Sequence, residues 1–410
     1  MMSRGSPSPC STPLRVRGPI RHPRAPRRSR LCSVLSLLLT ALAVRADAAG
    51  LTSPEPLIKS YELILDARFD DAERELTSSC PPAPQPACDV IGAVNEYWRL
   101  LLNPEDTTRD AALLGRINAS IASTEAWVAR EPKRAEAWFY LGGAYGTRVL
   151  LRGQRGQYLA AARDGKRIHD SLRLATSLDP SLSDAYFGLG LYHYYAAIAP
   201  RTARILSMLM FLPGGDRAGG LREMEQTRTK GLLLRGEADY QLHLIYLWYE
   251  RQPLTALRLV EGLRSRYPTN PVFYIRLAEV QGNYIRNPQA ALQTYRSMLD
   301  AARAGRIAMP AMSEVHARLG MAQEMDALCD GAAALEQLNA VIALKPPAPY
   351  GALARAYYQL GIVHDRAGRR ADAIAAYERA RTANPRDDRL RLREKIRAAI
   401  ARAPSTRGCR

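Results

Sequence analysis

The sequence predicts an all-α protein, built as a solenoid of about eight stacked helix pairs. Three observations carry this. From residue 57 onward the apolar residues recur at helical spacing, and the Val/Ile/Thr-rich alternation of strands is missing. One pattern of large and small side chains returns along the chain, which is the mark of repeat architecture. Prolines punctuate that pattern where one helix must stop and the next begin. A chain of 410 residues, 47% hydrophobic and 24% charged, is long enough for one extended array and too apolar to be disordered.

Charge sits mainly at the two ends. The formal net charge is +18, yet residues 1–48 hold nine Arg and one Asp. Residues 386–410 hold nine Lys and Arg against three acids. The body between is near +4, so the basic balance describes the ends more than the fold. Arg outnumbers Lys 52 to 6, which points to coding bias rather than to cation chemistry.

The first segment, 1–48, is expected to be a secretory signal. Eight Arg precede a 14-residue uncharged stretch, Leu31 to Val44, and Ala46-Asp47-Ala48 follows as a small-x-small site. As a helix that stretch is about 21 Å long, short of a ~30 Å hydrocarbon core. The expected location is the periplasm or cell envelope; the alternative is an uncleaved signal anchored in the inner membrane. Export makes the cysteines matter. The segment Cys80-Pro-Pro-Ala-Pro-Gln-Pro-Ala-Cys88 lies between two helical patterns, and a Cys80–Cys88 disulfide would close a short loop in an oxidising compartment. The alternative is a Pro-rich linker with two free thiols. Cys329 reads as a small packed residue at a turn, and Cys409 lies in the basic tail.

The repeat spans 49–385, with 386–410 as a basic C-terminal helix and tail. Its clearest unit begins at Tyr357 and carries Leu360, Gly361 and His364, then Ala373, Tyr377, Ala380 and Pro385. This resembles the tetratricopeptide repeat, with His364 in place of the usual Tyr. Trp138, Leu141, Gly142 and Tyr145 open another unit that Ala175 and Pro180 close, about 14 residues longer than standard through the segment around Arg152 and Arg163. Tyr186, Leu189, Gly190 and His193 open the next. Ala256, Val260, Leu263 and Pro268 mark a second helix; Tyr274, Leu277, Ala278 and Ala290 mark a further unit. His316, Leu319 and Gly320 with Ala334, Leu338, Val341 and Pro346 mark one more, and Ala72 with Leu76 an early second helix. The resemblance implies a right-handed superhelix whose first helices line a concave groove.

An insert interrupts this pattern between Tyr195 and Gly220. It is apolar from Ile205 to Leu212 and turns at Pro213-Gly214-Gly215-Asp216. Residues 183–235 are similar to a segment of exported bacterial tetratricopeptide proteins and, more loosely, of the inclusion-body clearance family. The run Ile205 to Leu212 is too short to span a bilayer, and a peripheral membrane contact or a partner-facing surface is the expectation weighed against an extra packed helix.

No signature of catalysis is present. HExxH, GxSxG, phosphate-loop and paired CxxC motifs are absent, and the six His are scattered without ligand spacing. No catalytic residue, cofactor or metal is expected, and the chain is read as not an enzyme. Taking the repeat register at face value, the groove candidates are Phe187, Leu191, Tyr194, Tyr195, His243, Glu250, Glu279 and Asn283. Other groove positions include Glu136, Phe139, Asp184, Tyr240, Arg355, Tyr358, Ile362 and Asp365. Carboxylates outnumber Arg among these positions, which suggests a peptide site of basic or mixed preference. The expected function is an exported, non-enzymatic scaffold binding a protein or peptide partner in the concave groove, periplasmic or associated with the outer membrane. The alternative is an accessory subunit of an envelope enzyme or assembly complex. Nucleic acid is not expected as a partner, because the tail lacks interleaved aromatic residues.

Overall fold

The structure is a computed structural model that describes residues 50–200 and 214–402. The expected signal 1–48, the apolar run 205–212 and Cys409 lie outside the described residues. Among the described residues there are seventeen α-helices and no strand. Sixteen form consecutive pairs: α1 (Pro54–Leu65) with α2 (Phe69–Ser79), α3 (Gln85–Leu101) with α4 (Asp110–Arg130), α5 (Ala135–Gln154) with α6 (Tyr158–Leu178), and α7 (Ala185–Ile198) with α8 (Arg217–Lys230). Then come α9 (Arg235–Trp248) with α10 (Pro253–Arg266), α11 (Pro271–Glu279) with α12 (Pro288–Arg303), α13 (Pro310–Ala327) with α14 (Gly331–Leu344), and α15 (Ala352–Arg366) with α16 (Arg370–Ala383). A last helix, α17 (Leu392–Ala401), packs on α16.

Local chemistry sets these boundaries. Pro54, Pro253, Pro271, Pro288 and Pro310 sit in the first turn of their helices, where a missing N–H costs nothing. Asp216, Asn270, Asn287 and Asp330 cap helix starts by accepting a backbone N–H two or three residues on. Between the helices of a pair the chain reverses through a left-handed residue: Gly156, Arg251, Arg286, Cys329 and Gly368 have φ from 55° to 73°.

Packing follows from small residues at the crossings. A Cβ on Gly361 would stand 2.3 Å from Cε1 of Tyr377, which fills the space that the glycine leaves. Gly190 of α7 and Gly220 of α8 face one another so closely that a Cβ on either would meet the other's carbonyl oxygen within 2.7 Å. The second helices bury Ala256, Ala334, Ala373 and Ala380 completely. No pair covers its own apolar face, so each depends on its neighbours.

Two irregularities interrupt the repeat. The extra residues of the α5/α6 pair prolong both helices. In the fourth of the repeats that follow α4, a π-helical turn, Val280–Tyr284, adds one residue. The buried alanine of α12 is consequently Ala291, not Ala290. A disulfide joins Cys80 and Cys88, whose Cα atoms are 6.4 Å apart, across the connection from α2 to α3. Cys329 lies at a turn, as read, but is exposed there rather than packed.

The concave face and its candidate site

The first helices α5, α7, α9, α11 and α13 present the positions expected to line an open groove. Much of that face is covered by the chain's own first two pairs. Residues 50–105 lie across it, held by hydrogen bonds between positions far apart in sequence. The Gly50 amide donates to Asp179 at 2.8 Å. The amide and hydroxyl of Thr52 each donate to the Glu136 carboxylate at 2.8 Å. Trp98 Nε1 and the Tyr61 hydroxyl donate to Glu237 at 3.0 and 3.3 Å. Asn270 Nδ2 donates to the Leu65 carbonyl at 2.7 Å, and Tyr267 donates to Glu62 at 3.1 Å. The Tyr350 amide donates to Asn103 at 2.8 Å, near the far end. Aromatic rings fill the space between: Trp98 stands 4.9 Å from Tyr240 and 5.9 Å from Phe273, centroid to centroid. One hydrophobic core therefore runs from α1 through α13.

Burial corrects the groove reading. His243 and Tyr194 are fully buried, so neither lines an accessible surface. His243 packs 5.0 Å from Tyr240, with neither ring nitrogen hydrogen-bonded. Burial, with the Arg276 guanidinium nearby, pushes its pKa down to about 3, so the ring is neutral. Tyr194 shares a core cluster with Met224, Leu242 and Ile245, against which Phe187 and Leu191 pack half-buried. Its hydroxyl donates to Glu250 at 2.5 Å, and Arg217 closes on the same carboxylate from α8, with Nε 2.8 Å away. That Arg217 contact holds the Glu250 carboxyl below its ordinary range. Glu279 is paired with Arg276 at 2.7 Å. Of the eight candidates only Tyr195 and Asn283 are exposed, at the end of α7 and in the π-helical turn.

The expected basic or mixed peptide preference loses its basis for a related reason. The groove carboxylates are spent inside the fold. Asp184 accepts the backbone amides of Leu232, Leu233 and Leu234 at 2.7–2.9 Å. Asp365 binds Arg370 at 2.8 Å and the Tyr377 hydroxyl at 2.8 Å. Asp184 is turned to the connection before α9 and Asp365 to the second helix of its own pair, not to a solvated groove.

Beyond Tyr350 the concave face reopens. A cleft of about 240 Å³ lies between α13, α15 and α17, bordered by Gln323, Asp326, Tyr358, Gln359, Ile362 and Lys395. Asp326 pairs with Arg366 at 2.8 Å, and burial raises its pKa. Gln359 Oε1 is buried without a hydrogen-bond partner. A broader open depression, about 630 Å³, lies over α7 and the start of α8. There His193 Nδ1 is 2.7 Å from Glu223 Oε2. Among the described residues no group of three or more His, Cys, Asp or Glu is arranged to hold a metal, and no helix is long and apolar enough to cross a membrane.

The architecture is that of an all-α, tetratricopeptide-repeat-like solenoid, defined by the helix pairs themselves. No family model matches the chain, and no curated protein matches it. Among solved structures, one described as "Crystal structure of APC/C hetero-tetramer Cut9-Hcn1" aligns over 88% of this chain, with a TM-score of 0.48 and 12% identity. The match spans 58% of that chain's length.

Proposed function

We propose that the chain is an exported, non-enzymatic scaffold of the cell envelope that binds an extended segment of a protein partner at the C-terminal end of its concave face. One observation carries this reading. The face is occupied by residues 50–105 as far as Tyr350 and is open beside it, in the cleft between α13, α15 and α17. Tyr358 and Ile362 offer apolar area on the same helix face. Export is supported by the sequence of residues 1–48 and agrees with the Cys80–Cys88 disulfide.

Two measurements test it. A photo-crosslinking residue placed at Ile362 is expected to form adducts with a discrete protein in cells that produce the chain. The same residue at Leu174, exposed on the second helix α6, is expected to form none. Equal labelling at both positions, or none at Ile362, would overturn the site. Envelope fractionation with intact-mass analysis is expected to show loss of about 48 residues. Full-length protein confined to the cytosol would overturn export.

A further inference from the structure

The exposed aromatic side chains are confined to one edge of the array. Five aromatics are exposed among the described residues: Tyr158, Tyr195, Trp248, Tyr249 and Tyr284. Every one lies where the first helix of a pair gives way to the second, in four consecutive pairs from α5/α6 to α11/α12. Leu159 and Leu254 stand beside them, 51% and 61% exposed. The opposite edge, where second helices lead to the next pair, exposes Leu232, Met309 and Leu344 but no aromatic. Adjacent pairs meet along the aromatic edge, since the Tyr195 and Tyr249 ring centroids are 5.6 Å apart.

Two arginines on this edge stand outside any ion pair among the described residues. Arg251 and Arg286 occupy the left-handed turn position of two successive pairs, with φ 55° and 60°, where the α5/α6 and α15/α16 pairs use glycine. A side chain there costs about 1 kcal/mol in backbone conformation. No ion pair offsets that cost for either arginine, and both are exposed. The acids nearby are already engaged: Glu250 with Arg217, and Asp216 and Asp330 as helix caps.

We propose that this edge docks on an anionic phospholipid bilayer, with Trp248, Tyr249 and Tyr195 at headgroup depth and Arg251 and Arg286 on lipid phosphates. Amphipathic rings beside unpaired arginines match the polarity gradient of a membrane interface. The side chains lie at or near the first-to-second helix turns of consecutive pairs. The proposal rests on residues apart from the cleft at Ile362, so the two stand or fall separately.

Tryptophan quenching by brominated lipid tests it on the full chain. Trp98 and Trp127 are buried, and Trp138 lies toward the opposite edge, so Trp248 is the reporter. Vesicles of brominated phosphatidylcholine with roughly a third phosphatidylglycerol are expected to quench it, and Trp248→Phe to abolish the quenching. Binding to pure phosphatidylcholine is expected to be about tenfold weaker, as is binding of Arg251→Asn/Arg286→Asn to the anionic vesicles. Asn accepts the left-handed turn, so those substitutions preserve the fold. Vesicle binding without quenching of Trp248, or unchanged affinity of the double variant, would overturn the proposal. Capture of a discrete protein by a photo-crosslinking residue at Trp248, with no vesicle binding, would also overturn it and assign the edge to a protein.

Discussion

The Trp98 indole reaches Glu237 across 139 positions of sequence and donates to its carboxylate at 3.0 Å. Tyr61 and Gln241 donate to the same group, so one buried acid ties α1, α3 and α9 together. Glu237→Ala is expected to leave three buried donors unpaired and to cost roughly 3 kcal/mol, read from urea unfolding. Burial also raises the Glu237 pKa above the ordinary glutamate range. The folded state then holds this proton to higher pH than the unfolded state does, so this group's contribution falls as pH rises through that window. Glu237→Gln is expected to remove that slope.

His243 gives the opposite slope. Its folded pKa of about 3 lies below its ordinary value of 6.5, so the unfolded chain takes up the proton first on acidification. The contribution is complete above the ordinary value and is lost as pH falls toward 3. His243→Leu, which also removes two unbonded ring nitrogens, is expected to be near neutral at pH ~7.5 and to stabilise by roughly 2 kcal/mol at pH ~5. Urea midpoints at the two pH values check both statements. Equal effects at the two values would show that the ring does not titrate as buried.

Gly361→Ala places a methyl group against the Tyr377 ring at a distance that no relaxed structure tolerates. The expected loss is about 1–3 kcal/mol in thermal unfolding. Combining it with Tyr377→Leu is expected to recover part of that loss, because the contact itself causes it.

Glu250→Ala and Asn283→Ala separate two residues assigned to the same groove. Glu250 unites the Tyr194 hydroxyl with Arg217, linking α7, α8 and the end of α9, and its loss is expected to cost roughly 1–3 kcal/mol. Asn283 is exposed in the π-helical turn and is expected to change stability by less than about 0.5 kcal/mol. Differential scanning calorimetry of the two variants distinguishes them.

The sequence by itself determined the all-α class and the helix pairs. Those features depend on contacts between neighbours: a glycine against the ring of the next helix, an alanine at a crossing, a proline at a start. Such contacts leave a periodic trace, as from Gly361 to Tyr377. Tertiary structure alone decided what lies on the inward face. Glu62 meets Tyr267 and Leu65 meets Asn270 across 205 positions, and no periodicity encodes such a meeting. His243 therefore occupies a groove position by register but lies in the core beside Tyr240, against which Trp98 packs, and Tyr194 lies in the core because α8 and α9 pack on it. The π-helical turn stayed hidden for the same physical reason: a single extra residue shifts the register while leaving the composition unchanged.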